Sequence, residues 1–530
     1  MAFKTKIIGN PHDNDLGFNQ TLNLKQEERV VWYEGKSDKI QDFYLKAIPA
    51  KAANYEEFRN TDDYFWAVVS REPGVKCTHS GLPNAIISAL VNITGEPEIS
   101  ITKRVYDKET ESFVDEEDLE LNELVQEIIE DNDLHNVIKT DQIPYMVAVG
   151  DGAYLINFDK SISDLPILEF IDGRNTEFEI KSKRIVGITI RKYYKHEEKN
   201  YMLTDRRTTE TYSVVENDKQ KNKRMAVIEY NLYELVNDKT AKVKAWVELN
   251  TIPQTASLKK RIEFRDIDEM LAVPCVYKYD KANKRGKSIF DTKLDLFDDL
   301  DQNLSQSSLT TRLSTPAEYV PDSLIEYDDK GEPKKFQRYD RRYIVLPHDK
   351  DSATGIEGAK VQTTQPILNF EQYSTQSLEI VHNICTGLMS PTTLGLELAR
   401  KDNAAAQRER EKVSISTRDD LIATETGILK ALIRKAIKLH YAILQDKENT
   451  SYEYEVTINY PEYANPSFEN KLAYLTTAYA NGGISAKQYV NELWGKSLNA
   501  KETQEEIEWL EKNKNAYIEA DEEQYDPFMI

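Results

Sequence analysis

Asp291, Asp295, Asp298, Asp299 and Asp301 crowd carboxylates into one short stretch of this 530-residue chain. Spacings of three and four residues place such groups on one face of a helix, where a pair of divalent cations could be held for nuclease chemistry. Two-metal sites, however, draw their ligands from several buried elements, and no His-rich or second Asp/Glu motif accompanies this row. The expectation is a solvated acidic face that repels phosphate, with no metal and no cofactor. Just ahead, Arg285-Gly286-Lys287-Ser288 resembles the tail of a phosphate-binding loop. A full loop needs a further glycine where Lys281 stands, because glycines let backbone N–H groups curl around phosphate. The simpler expectation is a β-region that ends at Gly286 and a helix capped by Ser288. Asp151-Gly152 lies between apolar runs and reads as a hairpin turn.

Other catalytic chemistry has no local signature. Cys77, Cys275 and Cys385 are scattered without a CxxC pair, which suits buried thiols in a reducing compartment. The seven His residues are dispersed, with no HExxH spacing, and no Ser/His/Asp or Cys/His pattern is present. The chain is expected not to be an enzyme. Two stretches remain of interest. The loop from Leu388 to Asn403 mixes Leu394, Leu396 and Leu398 with Arg400, Lys401 and Asn403 between two strong helices. By pattern alone it is a plain connection. Lys330, Lys334, Lys335, Arg338, Arg341 and Arg342 form a basic cluster in an acidic protein.

The elements that must position these residues are legible from periodicity. Phe290, Leu294, Phe297, Leu300 and Leu304 recur at helical spacing. A turn-rich insert follows over 315–365, with short strands expected at Ala317–Val320, Leu324–Tyr327 and Tyr343–Leu346. Pro366 opens a second helix carrying Ile367, Phe370, Leu378, Val381 and Ile384, so the insert sits at the tip of a helical hairpin. From Asn403 to Leu444 one helical pattern continues for on the order of 60 Å. Ahead of this hairpin, helices are expected at Glu28–Tyr44, Ala85–Ile93 and Leu119–Ile138. Met146–Ile156 reads as strand, turn, strand, and an antiparallel β-rich region including Ile185–Ile190 and Met225–Tyr230 continues to Tyr279. The charged run Asn217–Arg224 reads as a solvated hairpin tip. Helices recur at Phe468–Ala480, Ser485–Leu493 and Lys501–Lys512, and an acidic tail ends the chain. The fold class is α+β.

Composition narrows the function further. Charged residues make up 30% and hydrophobic residues 40% of the chain, as in soluble folded proteins. No apolar run reaches the ~18 residues of a bilayer span. Met1-Ala2-Phe3-Lys4 leads into polar sequence, so a protein made in the cytosol is expected. The formal net charge of −22 is the wrong sign for tight nucleic-acid binding, which comes from Lys and Arg displacing counterions. It is compatible with letting DNA pass.

Five sequence features, in order, resemble the portal proteins of long-tailed bacteriophages of Gram-positive hosts. Gly150-Asp151-Gly152-Ala153-Tyr154 is similar to the family's Gly-x-Ala-Tyr segment in the wing. Val273-Pro274-Cys275-Val276-Tyr277 followed by Arg285-Gly286-Lys287-Ser288 is similar to the approach to its first stem helix. Gly387-Leu388-Met389-Ser390-Pro391 resembles the turn closing the second stem helix, and Ala404-Ala405-Ala406-Gln407-Arg408 the small-residue start of the longest helix. Tyr479-Ala480-Asn481-Gly482-Gly483-Ile484-Ser485 resembles a turn in the crown. The resemblance is best from Tyr145 to Gly495. It departs at Lys401-Asp402-Asn403-Ala404-Ala405, where the family has a glycine-rich spacing, and in the first 50 residues.

The resemblance implies a ring of about twelve copies at one capsid vertex, assembled in the host cytoplasm and carried in the virion. DNA enters through its axis during packaging and leaves through it on infection. Implied partners are the large terminase, head-completion or adaptor and tail proteins, and the major capsid and scaffold proteins. Contact with double-stranded DNA would be transient and independent of sequence. The map is wing 1–285 with 404–464, stem 286–314 and 366–387, clip 315–365, tunnel loop 388–403 and crown 465–530. Asp291, Asp295, Asp298 and Asp299 become an acidic stem face. Leu394, Leu396 and Leu398 would narrow the bore, with Arg400, Lys401 and Asn403 beside the DNA. Lys330, Lys334, Lys335, Arg338, Arg341 and Arg342 become the clip's docking surface. Leu421, Ile428, Leu432, Lys435, Leu439 and Ala442 are expected to form a stripe facing a neighbour, with Trp32 and Tyr33 anchoring the N-terminal arm on one. The alternatives are another connector or adaptor ring component, or a metal-dependent nuclease using the Asp291–Asp301 cluster.

Overall fold

The computed structural model describes residues 20–47, 64–68, 76–107, 112–216, 219–236, 243–281, 285–314, 317–321, 342–346, 362–364, 370–396, 411–444, 454–461, 472, 475–479, 483–494 and 506–510. By internal contacts the chain forms two units. One comprises Met1–Leu398 and Glu411–Pro461, the other Ala399–Arg410 and Glu462–Ile530. Residues 404–410 and 462–464, expected with the wing, lie outside the described residues.

The first unit opens with α1 (Gln20–Glu34), α2 (Ser37–Asp42), the short α3 (Phe65–Val68) and α4 (Leu82–Thr94). Pro83 starts α4 in its first turn, and Gly95, at φ 75°, ends it in a backbone conformation that glycine adopts without strain. Leu82, Ile86, Ile87, Leu90 and Val91 form its buried face. β1 (Glu98–Asp107) pairs with β2 (Ser112–Glu117), and α5 (Leu119–Asp131), α6 (Leu134–Val137) and α7 (Ile143–Val149) follow. Asp118 caps α5 by accepting from the Leu121 N–H at 3.2 Å.

α7 corrects one expectation: Met146–Val149 is helical, not a strand. Pro144 lies in its first turn and Gly150, at φ 106°, closes it. Met146, Val147, Ala148 and Val149 are all fully buried. A run buried on every side carries no period by which helix and strand can be told apart.

The β-rich region then unfolds as expected, antiparallel throughout: β3 (Asp151–Asn157), β4 (Ile167–Asp172), β5 (Thr176–Lys181), β6 (Arg184–His196), β7 (Lys199–Glu216), β8 (Lys219–Leu235), β9 (Val243–Val247), β10 (Arg261–Phe264) and β11 (Ala272–Val276). β10-β8-β7-β6-β5 form one sheet with β9 on β8, and β11-β3-β4 form another. The charged run near 217 is mostly strand, since Lys219–Arg224 belong to β8, although Lys221–Arg224 are exposed.

The short pair β12 (Tyr279–Asp280) and β13 (Arg285–Gly286) leads to α8 (Leu294–Leu313). In the insert, β14 (Ala317–Pro321) pairs parallel with β15 (Arg342–Leu346) and antiparallel with β16 (Gln362–Thr364). The expected strand at Leu324–Tyr327 and the helix start at Pro366 lie outside the described residues. α9 (Phe370–Cys385) and α10 (Lys412–Ile443) follow, and β17 (Glu455–Asn459) pairs with β1.

α10 runs for 32 residues, or about 48 Å; residues 403–410 of the expected helix lie outside the description. Leu421, Leu429, Leu432, Ile433, Ala436, Ile437 and Leu439 are buried within the protomer's own core. The stripe expected to face a neighbour is therefore already covered: Leu421, Ile428, Leu432, Lys435 and Leu439 are buried, and Ala442 packs against the same core. Lys435 donates to the Ala272 carbonyl at 2.8 Å. Trp32 is likewise an internal residue, wholly buried with its indole N–H on Tyr44 Oη at 2.8 Å. Tyr33 packs its ring edge against Tyr145 within the same protomer.

In the second unit, the described part is α11 (Ala486–Trp494) with helical residues 475–479 and 506–510. Ser485 caps α11, accepting from Gln488 N–H at 3.1 Å, and Ala486, Val490 and Ile507 form its core. Among the described residues no helix is long and apolar enough to cross a membrane.

Candidate functional site

The expected acidic face lies on α8, with Asp291 in the turn before it, and its geometry overturns the solvated reading for the middle of the row. Asp298 is buried, and its two oxygens accept from the backbone N–H groups of Phe65 at 2.7 Å and Trp66 at 3.4 Å. These are first-turn donors of α3, which have no partner inside their own helix. Asp301 is wholly buried too. It accepts from Trp66 Nε1 at 3.1 Å and Ser80 N at 2.8 Å, and pairs with His79 Nδ1 at 2.7 Å. Ser305, one turn on, accepts from Thr78 N at 2.8 Å. Towards the other end, Tyr64 donates its hydroxyl to Asp295, and Arg29 pairs with Asp291. The row is thus the seat of the chain's own N-terminal segments.

Burial shapes the chemistry of these acids. It pushes the Asp298 carboxyl up to about 7, against the two backbone donors that favour the anion. Burial likewise raises Asp291, with Arg29 opposing, and raises Asp299. Glu28 on α1 is pushed up to about 7 by burial, although Tyr44 donates to it at 2.6 Å. Because Asp298 and Asp301 face N–H donors, their oxygens converge on no common cation position. Among the described residues no group of three or more His, Cys, Asp or Glu could hold a metal ion.

Two motifs that looked separate form one assembly. Asp151, expected in a hairpin turn, instead starts β3, is wholly buried and makes a two-pronged ion pair with Arg285 at 2.6 Å on each prong. Arg285 also donates to the carbonyls of Thr176 at 2.8 Å and Gly173 at 2.9 Å. Gly286 N–H donates to Asp151 Oδ2 at 2.9 Å. Gly286 lies so close to Gly150 that a Cβ on it would stand 1.8 Å from the Gly150 carbonyl oxygen. Arg285-Gly286-Lys287-Ser288 is therefore a welded corner between sheet and helix, with its arginine turned inward. Ser288 caps the turn at Phe290, whose N–H donates to its Oγ at 3.0 Å; α8 itself begins only at Leu294. An aspartate inside an apolar strand run was the sequence signal for this buried pair.

α8 and α9 pack together as the expected hairpin. Ser377 donates to Asn303 at 2.8 Å, and Thr310 and Tyr373 hydroxyls meet at 3.4 Å. Lys293 reaches the last turn of α9, donating to the carbonyls of Asn383 at 2.8 Å and Thr386 at 3.1 Å. The turn after α9 is pinned to the first turns of α10. Ser390 N–H donates to Ser414 Oγ at 2.8 Å, and Thr417 Oγ1 donates to the Leu388 carbonyl at 2.7 Å. Gly387 and Gly395 sit at φ 77° and 70°. Leu394 packs partly buried against the core, while Leu396 is exposed. Leu398, Arg400, Lys401 and Asn403 lie outside the described residues, as do Lys330, Lys334, Lys335, Arg338 and Arg341; the backbone of Arg342 begins β15. On α9, Phe370 and Leu378 are exposed to 63% and 65%, an outward apolar pair that invites a partner.

The chain matches no protein-family model and no curated protein sequence.

Proposed function

We propose that this chain is the subunit of a phage portal ring, a conduit for DNA rather than an enzyme. The observation that carries this reading is the order of parts. α8 and α9 form a packed hairpin, its tip holds a separate three-stranded mixed sheet, and a pinned turn leads from α9 into a 32-residue helix. Such a hairpin suits a ring because α9 leaves Phe370 and Leu378 uncovered, and each copy offers the same surface to the next. The insert, with its basic cluster, would dock the terminase and later the connector proteins at the capsid vertex. The segment after Leu396, with Arg400 and Lys401, would meet DNA in the bore. A strongly acidic chain holds passing phosphate weakly.

Negative-stain images and native mass of the purified full-length chain test this. Rings with a central hole and a mass of about twelve chains are the expected result. A closed monomer that stays monomeric when co-expressed with its scaffold protein would overturn it.

A further inference from the structure

The N-terminal segments grip α8 through a distinct set of contacts. Phe65 and Trp66 bury their side chains while their backbone N–H groups end on Asp298. Trp66 Nε1, His79 Nδ1 and Ser80 N all end on Asp301, and Thr78 N ends on Ser305. Tyr64 ends on Asp295. Four positions on one face of one helix thus hold two short segments by polar contacts.

We propose that Tyr64–Val68 and Thr78–Ser80 form a latch on α8 that opens as a unit while the rest of the core stays folded, switching that helix face from covered to acidic. Closed, the latch seals Asp298 and Asp301 from water. Open, it frees Asp295 from Tyr64 and returns Asp298 and Asp301 to solvent beside the already exposed Asp295 and Asp299, giving a continuous acidic stripe at helical spacing. Local opening of this kind has a free energy of its own, below that of global unfolding.

The charged and titratable neighbours of Asp298 set the direction of the switch. On α8 itself these are Asp295, Asp299 and Asp301. Tyr64 faces it from the segment before α3, His79 reaches the same row through Asp301, and Glu28 on α1 stands near Asp295. With no cation paired to it among the described residues, Asp298 favours the proton when covered. Raising the pH above neutrality therefore favours the open latch.

Hydrogen exchange by mass spectrometry on the full-length chain tests the latch, comparing the natural protein with Asp301→Asn and, as a control, Asp299→Asn. Asp301→Asn turns one of the two oxygens, which accept from Trp66 Nε1 and Ser80 N, into a donor, so one of those bonds is lost either way. Exchange in peptides spanning Phe65, Trp66 and Ser80 should rise by about 10-fold or more, with α5 and α10 unchanged and Asp299→Asn silent. An equal rise in α10, or no rise anywhere, would overturn the proposal. Should Asp301→Asn fail to fold, the natural protein in low urea decides: latch peptides must exchange with a smaller urea dependence than α10, and equal dependence refutes the unit. The portal reading does not depend on the outcome, since ring mass is measured separately.

Discussion

Glu425→Gln should make this protein more stable in mild alkali while changing little in acid. Glu425 sits on α10, wholly buried, with Oε2 accepting from Gln142 Nε2 at 2.8 Å and Oε1 without a partner among the described residues. Burial pushes its carboxyl from 4.5 up to about 7, with only the Gln142 bond opposing. A folded-state pKa above the unfolded one means that the native state holds the proton longer. The group's stabilising share is then full below about pH 4.5 and is lost as pH rises through about 7. A rise of that size is worth about 3 kcal/mol at the upper end. Glutamine is neutral at every pH and keeps a carbonyl for the Gln142 donor. The variant should therefore match the natural protein within about 1 kcal/mol at pH 5 and exceed it by about 1–3 kcal/mol at pH 8. Urea unfolding followed by circular dichroism at both pH values measures the difference. A gap of the same size at both pH values, or a variant less stable at pH 8, would refute the reasoning.

Three further outcomes follow from single contacts. Arg285→Ala leaves Asp151 buried without its cation and should cost about 3–5 kcal/mol, read as a fall in the urea midpoint. Gly286→Ala places a Cβ 1.8 Å from the Gly150 carbonyl oxygen. Neither backbone can yield there, so expression of folded protein should collapse, whereas Gly387→Ala, with nothing within 4 Å but a φ of 77°, should cost only about 1–2 kcal/mol. Leu378→Glu changes a residue that is 65% exposed, so its circular dichroism and melting should match the natural chain. Under the portal reading it should also weaken ring formation, which native mass spectrometry would show as a shift to free subunits.

What the sequence disclosed and what it hid divide along a physical line. Periodic elements with one wet face were legible: α4, β6, α9 and most of α10 fall where spacing placed them, and α5 starts as expected at Leu119 but ends at Asp131, short of the expected Ile138. Met146–Val149 was misread because it is buried all round, and such a run looks alike as strand or helix. The buried stripe of α10 was misassigned for the opposite reason. Its apolar period is real, but a period says only that the face is covered, not whether a neighbour or the protomer's own sheets cover it. The polar pairs were illegible because their partners are remote. Asp151 meets Arg285 across 134 residues, and Asp301 meets Trp66 across 235.

That last point bears on how an acidic conduit would work. A carboxylate row at helical spacing looks the same in sequence whether water or the chain's own N–H donors satisfy it. On α8 and the turn before it they are the chain's own donors: Asp298 is pushed towards neutrality, Asp291 faces Arg29, and Asp301 is sealed beneath Trp66. The formal charge of this face therefore overstates the field it presents, leaving Asp295 and Asp299 as its exposed carboxylates. If the chain lines a DNA channel, closed latches leave that helix face only Asp295 and Asp299 as exposed carboxylates, and open ones add Asp298 and Asp301. Repulsion of passing phosphate would then depend on the state of the N-terminal segments, and raising the pH above neutrality should strengthen it most in chains whose Asp298 can still titrate.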